Sequence, residues 1–558
     1  MIRQIRNYII IAVVALSTLL FWAFKDDNFA IAKNLDIFYS LFREMNMIYV
    51  DETDPEQMVK TAIDAMLQKL DPYTVYIPES QMEDFKFMTT GQYGGIGAMI
   101  RKDGEYVVIT EPYENFPAAK AGLRAGDLVK MIDNIDVKGK STEDMSELLK
   151  GEPGSQVSLT IQRPGTEQEQ IIRVTREKIS IDAVPYYGML NDSVGYFLLS
   201  SFTQSASKEV KEAAHILHQQ GAKSMVFDLR GNPGGLLIES VNIVNLFVEK
   251  GNEVVATKGR VSQWDKTYIT KNAAAFPDVP MVILVNSGSA SASEIVSGAM
   301  QDLDRAVIVG TRTFGKGLVQ ATRPLSYNSQ LKVTTAKYYI PSGRCIQALD
   351  YSHRNEDGSV GKVPDSLITE YRTANNRIVY DGGGILPDIK EEPETMSNIA
   401  YSLVAQNHIF DYATQYCLKH DSIAPARDYR FADYDDFKTW IANRDLSCES
   451  YCAHKLDELI EIAKEENYYE HSQATFDRLK ADLANDQNKD LETFKSQIIK
   501  LIEQEIVGRY YFQKGAIQNM VAKDKAVQKA LEILSDSHRY QSILVGQSEE
   551  GQIKKAIE

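Results

Sequence analysis

The stretch MVILVNSGSASASEIVSGAMQDL, residues 281–303, predicts a strand, a loop of small residues and a helix, in that order. Its first five residues, Met281 to Val285, are all apolar, as expected of a parallel strand buried on both faces. Met225 to Leu229 forms a second run of this kind, and a helical pattern over Leu236 to Phe247 follows it. This alternation of strands and helices, from Gly195 to about Ile340, predicts an α/β core domain.

The loop of this stretch, Gly288 to Glu294, carries a candidate nucleophile where it joins the helix. A serine at a helix start lies beside free N–H groups and the positive end of the helix dipole, which suit a developing oxyanion. Ser291-x-x-Glu294 also matches a capping box, which a purely structural helix start shows as well. Ser291 is therefore either a nucleophile or a helix cap.

A serine nucleophile needs a base, and the usual base, histidine, is poorly placed in this chain. The eight histidines fall on a predicted surface helix, in a polar loop and in the C-terminal helices: His215, His218, His353, His408, His420, His454, His471 and His538. The sequence also lacks a G-x-S-x-G elbow. A lysine can act instead if burial disfavours its charged form.

The segment TFGKGLVQ, residues 313–320, offers such a lysine. Lys316 is flanked by glycines and set among apolar residues. Gln320 shares a face with Lys316 in either a helix or a strand, where its amide can hold the neutral amine by a hydrogen bond. The alternative is a lysine in an exposed glycine loop, because lysines are mostly exposed.

From about Tyr93 to Lys178 the pattern changes to short strands and turns. The loop GGIG at 94–97, the segment PAAKAGLRAGD at 117–127 and a short helix at Met145 to Leu149 resemble a PDZ domain of the permuted bacterial kind. In such a domain a glycine loop offers N–H groups to a chain-end carboxylate, and the neighbouring strand edge pairs with the peptide. The predicted strands are Tyr106 to Thr110, Leu128 to Ile132 and Val157 to Ile161. The peptide-binding residues that this resemblance implies are Gly95, Ile96, Gly97 and Ala98.

The N-terminus predicts export from the cytoplasm. Arg3 and Arg6 precede an uncharged stretch from Asn7 to Phe24, which is long enough to span a bilayer, and the arginines place its start in the cytoplasm. Ala30-Ile31-Ala32 leaves the alternative of a cleaved signal peptide. The expected location is the cell envelope, with the catalytic part in the periplasm, either anchored in the inner membrane or released there.

Charge and cysteine content exclude other classes. The net charge of −16 and the pI of about 5.2 argue against nucleic acid as a partner, because phosphate contacts need basic patches. The cysteines are too few for a disulfide scaffold, and histidines at ligand spacing are missing beside them, so no metal site is expected. The four cysteines are Cys345, Cys417, Cys448 and Cys452. The sequence leaves open whether any of them form disulfides.

Further motifs, in a fixed order over roughly residues 35–395, resemble those of the C-terminal processing peptidases, also called tail-specific proteases. GSASASE and TFGKGLVQ match the signature of this family. The other matching blocks are LDPYT (70–74), DLRGNPGG (228–235), TAKYYIPSGR (335–344) and DGGGILPD (381–388). The resemblance implies a core with the α/β spiral fold of crotonase and Clp protease.

The resemblance also implies roles for single residues. Ser291 is expected to be the nucleophile, Lys316 the general base and Gln320 the residue that orients Lys316. The oxyanion hole is expected from two backbone N–H groups, and the sequence does not choose between two glycines for one of them: Ala292 with Gly234 or Gly235.

Asp302, Arg230 and the tail can also be compared with this family. Asp302 and Arg230 match family positions, and we expect structural roles for both, with Arg230 coupling the PDZ domain to the core. The tail after about residue 395 departs from the better-known members, so dimerisation, gating and adaptor binding all stay open. It contains a predicted helix with one buried stripe, formed by Phe494, Ile498, Ile502 and Ile506.

The 558 residues therefore predict a multidomain α/β protein. The expected parts are a transmembrane anchor or signal segment (1–34), an N-terminal helical region (35–92), a PDZ domain (93–180), an α/β serine peptidase core (181–394, joined by 35–92) and a C-terminal helical domain (395–558). Helices are predicted over Leu35 to Val50 and from Pro55 to about Leu70.

The expected function is that of an exported, membrane-tethered serine endopeptidase without a cofactor. Its substrates would be proteins or peptides with unstructured, apolar C-termini, cut at or near those ends. The alternative is a non-catalytic PDZ scaffold on a degenerate protease core. The presence of the serine, the lysine and the glutamine together favours the enzyme, because drift would lose at least one of them.

Overall fold

A computed structural model describes residues 25–355, 357–447, 451–482 and 487–547. The chain forms two compact units, one of residues up to 76 with the segments 322–326 and 330–333, and one of the remaining residues. The N-terminal helices of the first unit are Lys25–Ile48 and Pro55–Gln68, and the strand Val75–Ile77 follows them.

The two N-terminal helices confirm the helical prediction, although the first begins earlier than expected. Its apolar residues Leu35, Phe38 and Leu41 are exposed. The second begins at Pro55, where the Asp54 side chain accepts hydrogen bonds from the first turn. Within the four described ranges no helix is long and apolar enough to cross a membrane. The predicted membrane segment, Asn7 to Phe24, lies outside those ranges.

The peptidase core is built on a six-stranded sheet in which the predicted strands lie side by side. Four central strands run parallel, with Val226 paired to Val282 and Val282 to Val307. Their carboxyl ends therefore meet at one edge, where ligands bind to sheets of this kind. In spatial order the strands are Tyr186–Met189 (antiparallel), Val194–Leu198, Ser224–Asp228, Met281–Val285, Val307–Gly310 and Ile389–Lys390.

Helices cover both faces of this sheet. One face packs on three helices that follow the central strands, Ala206–Gln219, Leu237–Phe247 and Ala292–Asp302. The opposite face packs on the C-terminal tail, through buried residues such as Ile517, Val527 and Ile533. The end of the tail is therefore a layer of the peptidase core, a role that the sequence did not indicate.

A smaller antiparallel sheet and two hairpins complete the core. The sheet contains Glu253–Gly259, Lys266–Ile269, Leu318–Pro324 and Gln330–Tyr339. The hairpins are Leu349–Arg354 with Val360–Lys362 and Glu370–Arg372 with Ile378–Tyr380.

The region predicted as a PDZ domain is a small β-domain with its own hydrophobic core. The helix Met82–Thr90 leads into it, and the strand Gln92–Gly95 pairs with Glu177–Ser180, so entry and exit lie together. The three predicted strands are present, each extended by at most two residues at either end. The sheet order is Ala98–Asp103, Tyr106–Pro112, Leu128–Ile132 (with Ile135–Asp136), Gln156–Gln162 and Glu169–Thr175, and the helices are Pro117–Lys120 and Thr142–Leu149.

The tail is helical, as predicted, but it divides between two hydrophobic clusters. Residues from Ile399 to Val507 form a cluster of their own, which contains Ile498, Ile502 and Ile506 of the predicted stripe. Phe494, in contrast, is partly exposed just before the long helix. The tail helices are Asn398–Ala405, His408–Lys419, Tyr434–Ile441, Tyr451–Glu465, Tyr469–Asp482, Gln487–Thr493, Lys495–Val521, Lys525–Ser535 and Ser537–Leu544.

Candidate active site

Three serines of the GSASASE loop lie close in sequence, and the structure distinguishes them. The Ser289 hydroxyl is buried and donates to the Leu229 carbonyl (2.8 Å). The Ser293 hydroxyl is also buried and donates to the Asn232 carbonyl (2.9 Å). Ser291 is partly exposed. Of these three hydroxyls, that of Ser291 is the one placed to meet a substrate.

Ser291 has an unusual backbone conformation for a helix cap. Its φ of 56° and ψ of −112° lie outside the extended region that a cap residue normally adopts. A positive φ at a non-glycine residue stores strain of order 1–3 kcal/mol and is typical of functional sites. A sharp strand-to-helix turn of this kind lifts a nucleophile out of its loop. The conformation thus favours the catalytic interpretation of Ser291 over the purely structural one.

The capping pair does exist, but it uses backbone groups of Ser291. The Ser291 N–H donates to the Glu294 carboxylate (2.9 Å), and the Glu294 N–H donates to the Ser291 carbonyl (2.9 Å). A capping box and a reactive hydroxyl are therefore compatible at this residue.

Glu294 joins the serine loop to the lysine loop. This fully buried carboxylate accepts four hydrogen bonds. Oε1 accepts from the Thr313 hydroxyl (2.5 Å) and the Gly315 N–H (2.7 Å). Oε2 accepts from the N–H groups of Ser291 and Lys316 (2.9 Å each). The two backbones are thereby held within two hydrogen-bond lengths of each other.

The electrostatics of Glu294 follow from its burial. Burial raises the pKa of Glu294, although the four hydrogen bonds act to lower it. The sequence indicated Glu294 only as the last residue of a capping box. Its contacts with residues 313–316 come from the tertiary fold, and no local signal predicts them.

Tyr338 makes a second link between the same two loops. Its hydroxyl lies 2.6 Å from the Lys316 carbonyl and 3.1 Å from the Ser291 carbonyl, and the ring is buried. The hydroxyl can donate to one carbonyl at a time. Tyr338 belongs to the motif TAKYYIPSGR (335–344), but the sequence pattern alone indicates no role for this tyrosine.

The motif DLRGNPGG (228–235) lies directly against Ser291. A Cβ atom at Gly234 would lie 2.8 Å from the Ser291 Cβ and 2.8 Å from the Ala290 carbonyl oxygen, so only glycine fits. The Gly234 N–H donates to the Asn232 side chain (2.9 Å). Within the described ranges, the N–H groups of Gly235 and Ala292 make no such hydrogen bond.

Lys316 belongs to the loop that Glu294 joins to Ser291, and Gln320 lies four residues on, in the strand Leu318–Pro324. Lys316 is half-buried between two buried glycines, and a Cβ at Gly315 would meet the Ala348 Cβ at 2.4 Å. The lysine loop therefore packs too closely for other residues, which explains the flanking glycines. The Gln320 amide nitrogen donates to the Leu318 carbonyl (3.3 Å) and the Thr334 hydroxyl (3.2 Å).

Asp302 and Arg230 each form ion pairs. The pair of Asp302 is fully buried, and the pairs of Arg230 are partly buried. Asp302 lies at the end of the Ser291 helix and bonds to Arg344 (2.8 Å), with both side chains buried. Arg230 was expected to couple the PDZ domain to the core, and this expectation is wrong. Its guanidinium bonds to Asp228 (2.6 Å) and to Asp524 of the tail (2.8 Å). Arg230 therefore couples the core to the C-terminal helices.

The predicted peptide-binding loop lies between two strands of the PDZ region. Gly95 ends one strand and Ala98 begins the next. Ile96 is buried, and its carbonyl accepts a hydrogen bond from the Ala118 N–H (2.8 Å). Gly97 has a φ of 72°, and a Cβ there would meet the Phe116 Cβ at 2.6 Å, so this position requires glycine.

Among the described residues, no three His, Cys, Asp or Glu side chains are grouped closely enough to hold a metal ion. Cys448 lies outside the described ranges.

Three features together define the class of PDZ-containing serine peptidases: a serine at a strained turn after a parallel strand, a lysine loop joined to it, and a PDZ-like domain. Comparisons with known proteins agree. Residues 193–352 match peptidase family S41, residues 108–163 match a PDZ domain, and residues 399–534 match the C-terminal helical domain of probable PDZ-proteases.

Similar proteins identify the family. The chain is 36% identical over 342 residues to a carboxy-terminal-processing protease of Bartonella bacilliformis, covering 61% of this chain and 76% of that protein. It is 35% identical over 389 residues to a probable CtpA-like serine protease of Staphylococcus aureus, covering 68% and 75%. Among solved structures, the photosystem II D1 C-terminal processing protease is 29% identical, with 64% and 93% covered and a TM-score of 0.35. The chain belongs to the C-terminal processing peptidases and is a serine-type peptidase.

Proposed function

We propose that this chain is a membrane-tethered endopeptidase of the cell envelope that cuts proteins at or near their C-termini with a Ser291–Lys316 dyad. The observation that carries the proposal is the buried Glu294 carboxylate, which holds the backbones of Ser291 and Lys316 together. A helix cap alone would not need a link to a lysine loop.

The proposed reaction is acyl transfer without a cofactor. Lys316 takes the proton of the Ser291 hydroxyl as Oγ attacks the scissile carbonyl carbon. When the tetrahedral intermediate collapses, Lys316 returns the proton to the leaving amine and the peptide remains as an ester on Ser291. Water, deprotonated by Lys316, then hydrolyses the ester. Gln320 has its amide nitrogen fixed by two acceptors, which leaves the amide oxygen to orient Lys316.

The oxyanion hole is proposed to use the N–H groups of Ala292 and Gly235. Gly234 is the less suitable donor because its N–H is engaged by Asn232 (2.9 Å). Ala292 is the first residue of the helix, so its N–H has no partner one turn earlier. Ala292 follows Ser291 in the chain, and Gly235 follows Gly234, which lies against the Ser291 Cβ; charge develops on the carbonyl oxygen at this place.

The PDZ domain is proposed to bind the apolar C-terminal tail of a substrate. The strand Ala98–Asp103 lies at the edge of its sheet and contacts the helix Thr142–Leu149, so a peptide can add as a further strand between them. Arg176 holds the end of that helix by donating to the carbonyls of Leu148 (2.8 Å) and Leu149 (3.1 Å). The groove is therefore supported before a ligand arrives.

Membrane attachment is proposed from the sequence of residues 1–34. The arginines before the uncharged stretch favour a cytoplasmic N-terminus and an exported catalytic part. The N-terminal sequence of the mature protein, determined by Edman degradation or mass spectrometry, separates an uncleaved anchor from a cleaved signal.

The test of the enzymatic proposal is cleavage of an unfolded reporter protein with an apolar C-terminal tail. We expect the wild type to cut it and both Ser291→Ala and Lys316→Ala to be inactive, with unchanged circular dichroism and unchanged peptide binding. Activity of Ser291→Ala equal to that of the wild type would show that another residue is the nucleophile.

A further inference from the structure

Asp524, an acidic residue of the C-terminal helical region, lies at the edge of the core sheet that carries the candidate active site. Asp524 lies between the helices Lys495–Val521 and Lys525–Ser535. Its Oδ1 caps the second helix by accepting from the Val527 N–H (2.9 Å), and its Oδ2 accepts from Arg230 Nη1 (2.8 Å). One carboxylate thus serves both the tail and the core.

Arg230 is the third residue of the motif DLRGNPGG (228–235) and is held from two sides. Asp228, at the end of its strand, accepts from the Arg230 guanidinium and from its backbone N–H (2.9 Å). Asp524 binds the remaining side of the guanidinium. Because the two carboxylates come from different parts of the chain, they fix the position of the Arg230 guanidinium and also balance its charge.

The residues after Arg230 lead directly to the serine loop. The Gly231 N–H donates to the Asn286 side chain (2.9 Å), which also accepts from Gly288 (3.0 Å). The Asn232 carbonyl accepts from the Ala290 N–H (3.0 Å) and from the Ser293 hydroxyl. A shift of Arg230 therefore moves residues 231–235. This segment contacts Ser291 through Gly234 and carries the Gly235 N–H.

The position of Asp524 is itself rigid. Val521 and Val527, on either side of it, are buried in the cluster that covers the core sheet. Lys523 is paired with Glu503 of the preceding helix. The end of the tail therefore gives Arg230 a fixed anchor.

We propose that Asp524 is a positioning residue of the peptidase: through Arg230 it sets the glycine loop that offers the Gly235 N–H to the oxyanion. The inference rests on the proposed function, since it assumes that Ser291 and the Gly235 N–H act in the reaction. It gives the C-terminal helical domain an indirect part in the chemistry, through Arg230.

The test uses variants of the full-length chain that separate the two roles of Asp524. Asp524→Ser keeps a good helix cap but is too short to reach Arg230. Asp524→Asn keeps the cap and can still accept a hydrogen bond, without the charge. The matched control is Asp536→Ser, because Asp536 caps the next tail helix by accepting from the Arg539 N–H (3.0 Å) and is exposed. Ser291→Ala is measured beside them.

The readout is the hydrolysis of an activated ester with a short apolar acyl group, which needs the nucleophile and the oxyanion donors but no PDZ domain. Loss of one oxyanion donor costs about 100- to 1,000-fold in kcat, so its displacement in Asp524→Ser is expected to cost roughly 10- to 100-fold. KM and the thermal midpoint should stay near the wild-type values. Asp524→Asn should recover part of the loss, and Asp536→Ser should match the wild type.

Three results would overturn the inference. Asp524→Ser with wild-type kcat, while Ser291→Ala is inactive, would remove the positioning role and leave the proposed function intact. An equal loss in Asp524→Ser and Asp536→Ser would assign the effect to helix capping. Full hydrolysis by Ser291→Ala would instead refute the proposed function itself.

Discussion

Glu294 is the residue whose replacement should test the site geometry most sharply. In Glu294→Gln one carboxylate oxygen becomes an NH₂ group, which cannot accept hydrogen bonds. The Thr313 hydroxyl can turn and accept from this NH₂, so the amide should point its nitrogen toward Thr313 and Gly315. Its oxygen then keeps the bonds from Ser291 and Lys316, and Gly315 is the backbone donor that loses its acceptor. The Thr313 hydroxyl, now an acceptor, no longer donates to residue 294.

The size of the effect follows from the number of donors left unpaired. An unpaired buried donor costs about 1–3 kcal/mol, so Glu294→Gln should lose roughly that amount of stability. Glu294→Ala leaves three backbone N–H groups unpaired, those of Ser291, Gly315 and Lys316, and should lose on the order of 3–9 kcal/mol. The kcat should fall modestly in the first variant, within about tenfold, and below detection in the second.

The assays are urea unfolding followed by circular dichroism and cleavage of the tailed reporter. Asp144→Asn is the control, because Asp144 is the acidic residue of an exposed capping box in the PDZ region, and it should leave kcat unchanged. If Glu294→Ala retained the wild-type kcat, or if Glu294→Gln were as damaging as Glu294→Ala, the assignment of the four hydrogen bonds would be refuted.

Four other predictions can be checked with the same materials. Gly234→Ala places a Cβ 2.8 Å from that of Ser291 and should abolish reporter cleavage, whereas Gly361→Ala, in the hairpin Leu349–Arg354 with Val360–Lys362, where a Cβ meets no atom within 4 Å and φ is not positive, should keep most of it. Tyr338→Phe removes the hydroxyl between the Ser291 and Lys316 carbonyls and should cost about 1 kcal/mol in urea unfolding, with a several-fold fall in kcat. Burial raises the pKa of Glu294 above its usual 4.5, so the native state binds this proton more tightly than the unfolded chain. The stability of the wild type relative to Glu294→Gln should therefore be greatest below about pH 4.5 and fall as pH rises through the raised pKa, measured by urea unfolding at several pH values; the opposite slope would contradict this. Truncation after Phe512 should uncover six buried Val and Leu residues of the core sheet, a loss on the order of 10 kcal/mol, and yield insoluble or unfolded protein on expression.

The parts of the fold that the sequence predicted are those with a local cause. The runs Met225 to Leu229 and Met281 to Val285 are apolar throughout, and they form neighbouring strands almost to the residue. Pro55 at a first turn and small residues before Glu294 marked helix starts that the structure confirms. These features depend on neighbours in the chain, so periodicity and capping chemistry suffice.

The parts that escaped prediction depend on residues far apart in sequence. Arg230 meets Asp524, 294 positions away, and no local pattern names that partner. An amphipathic tail helix indicates that one face is buried, but not that it covers the peptidase sheet. Glu294 likewise looked like a cap because its other partners, 19 to 22 positions on, reach it only in the folded chain.

The central claim, that Ser291 is the nucleophile and Lys316 its base, is tested most directly by covalent labelling with a fluorophosphonate. The labelled residue is identified by mass spectrometry, and the labelling rate is compared between the wild type and Lys316→Ala. The account predicts a label on Ser291, with the buried hydroxyls of Ser289 and Ser293 unmodified, and a rate at least about 100-fold lower in Lys316→Ala, as expected for loss of a general base. A label on another residue, or equal rates in the two proteins, would contradict it.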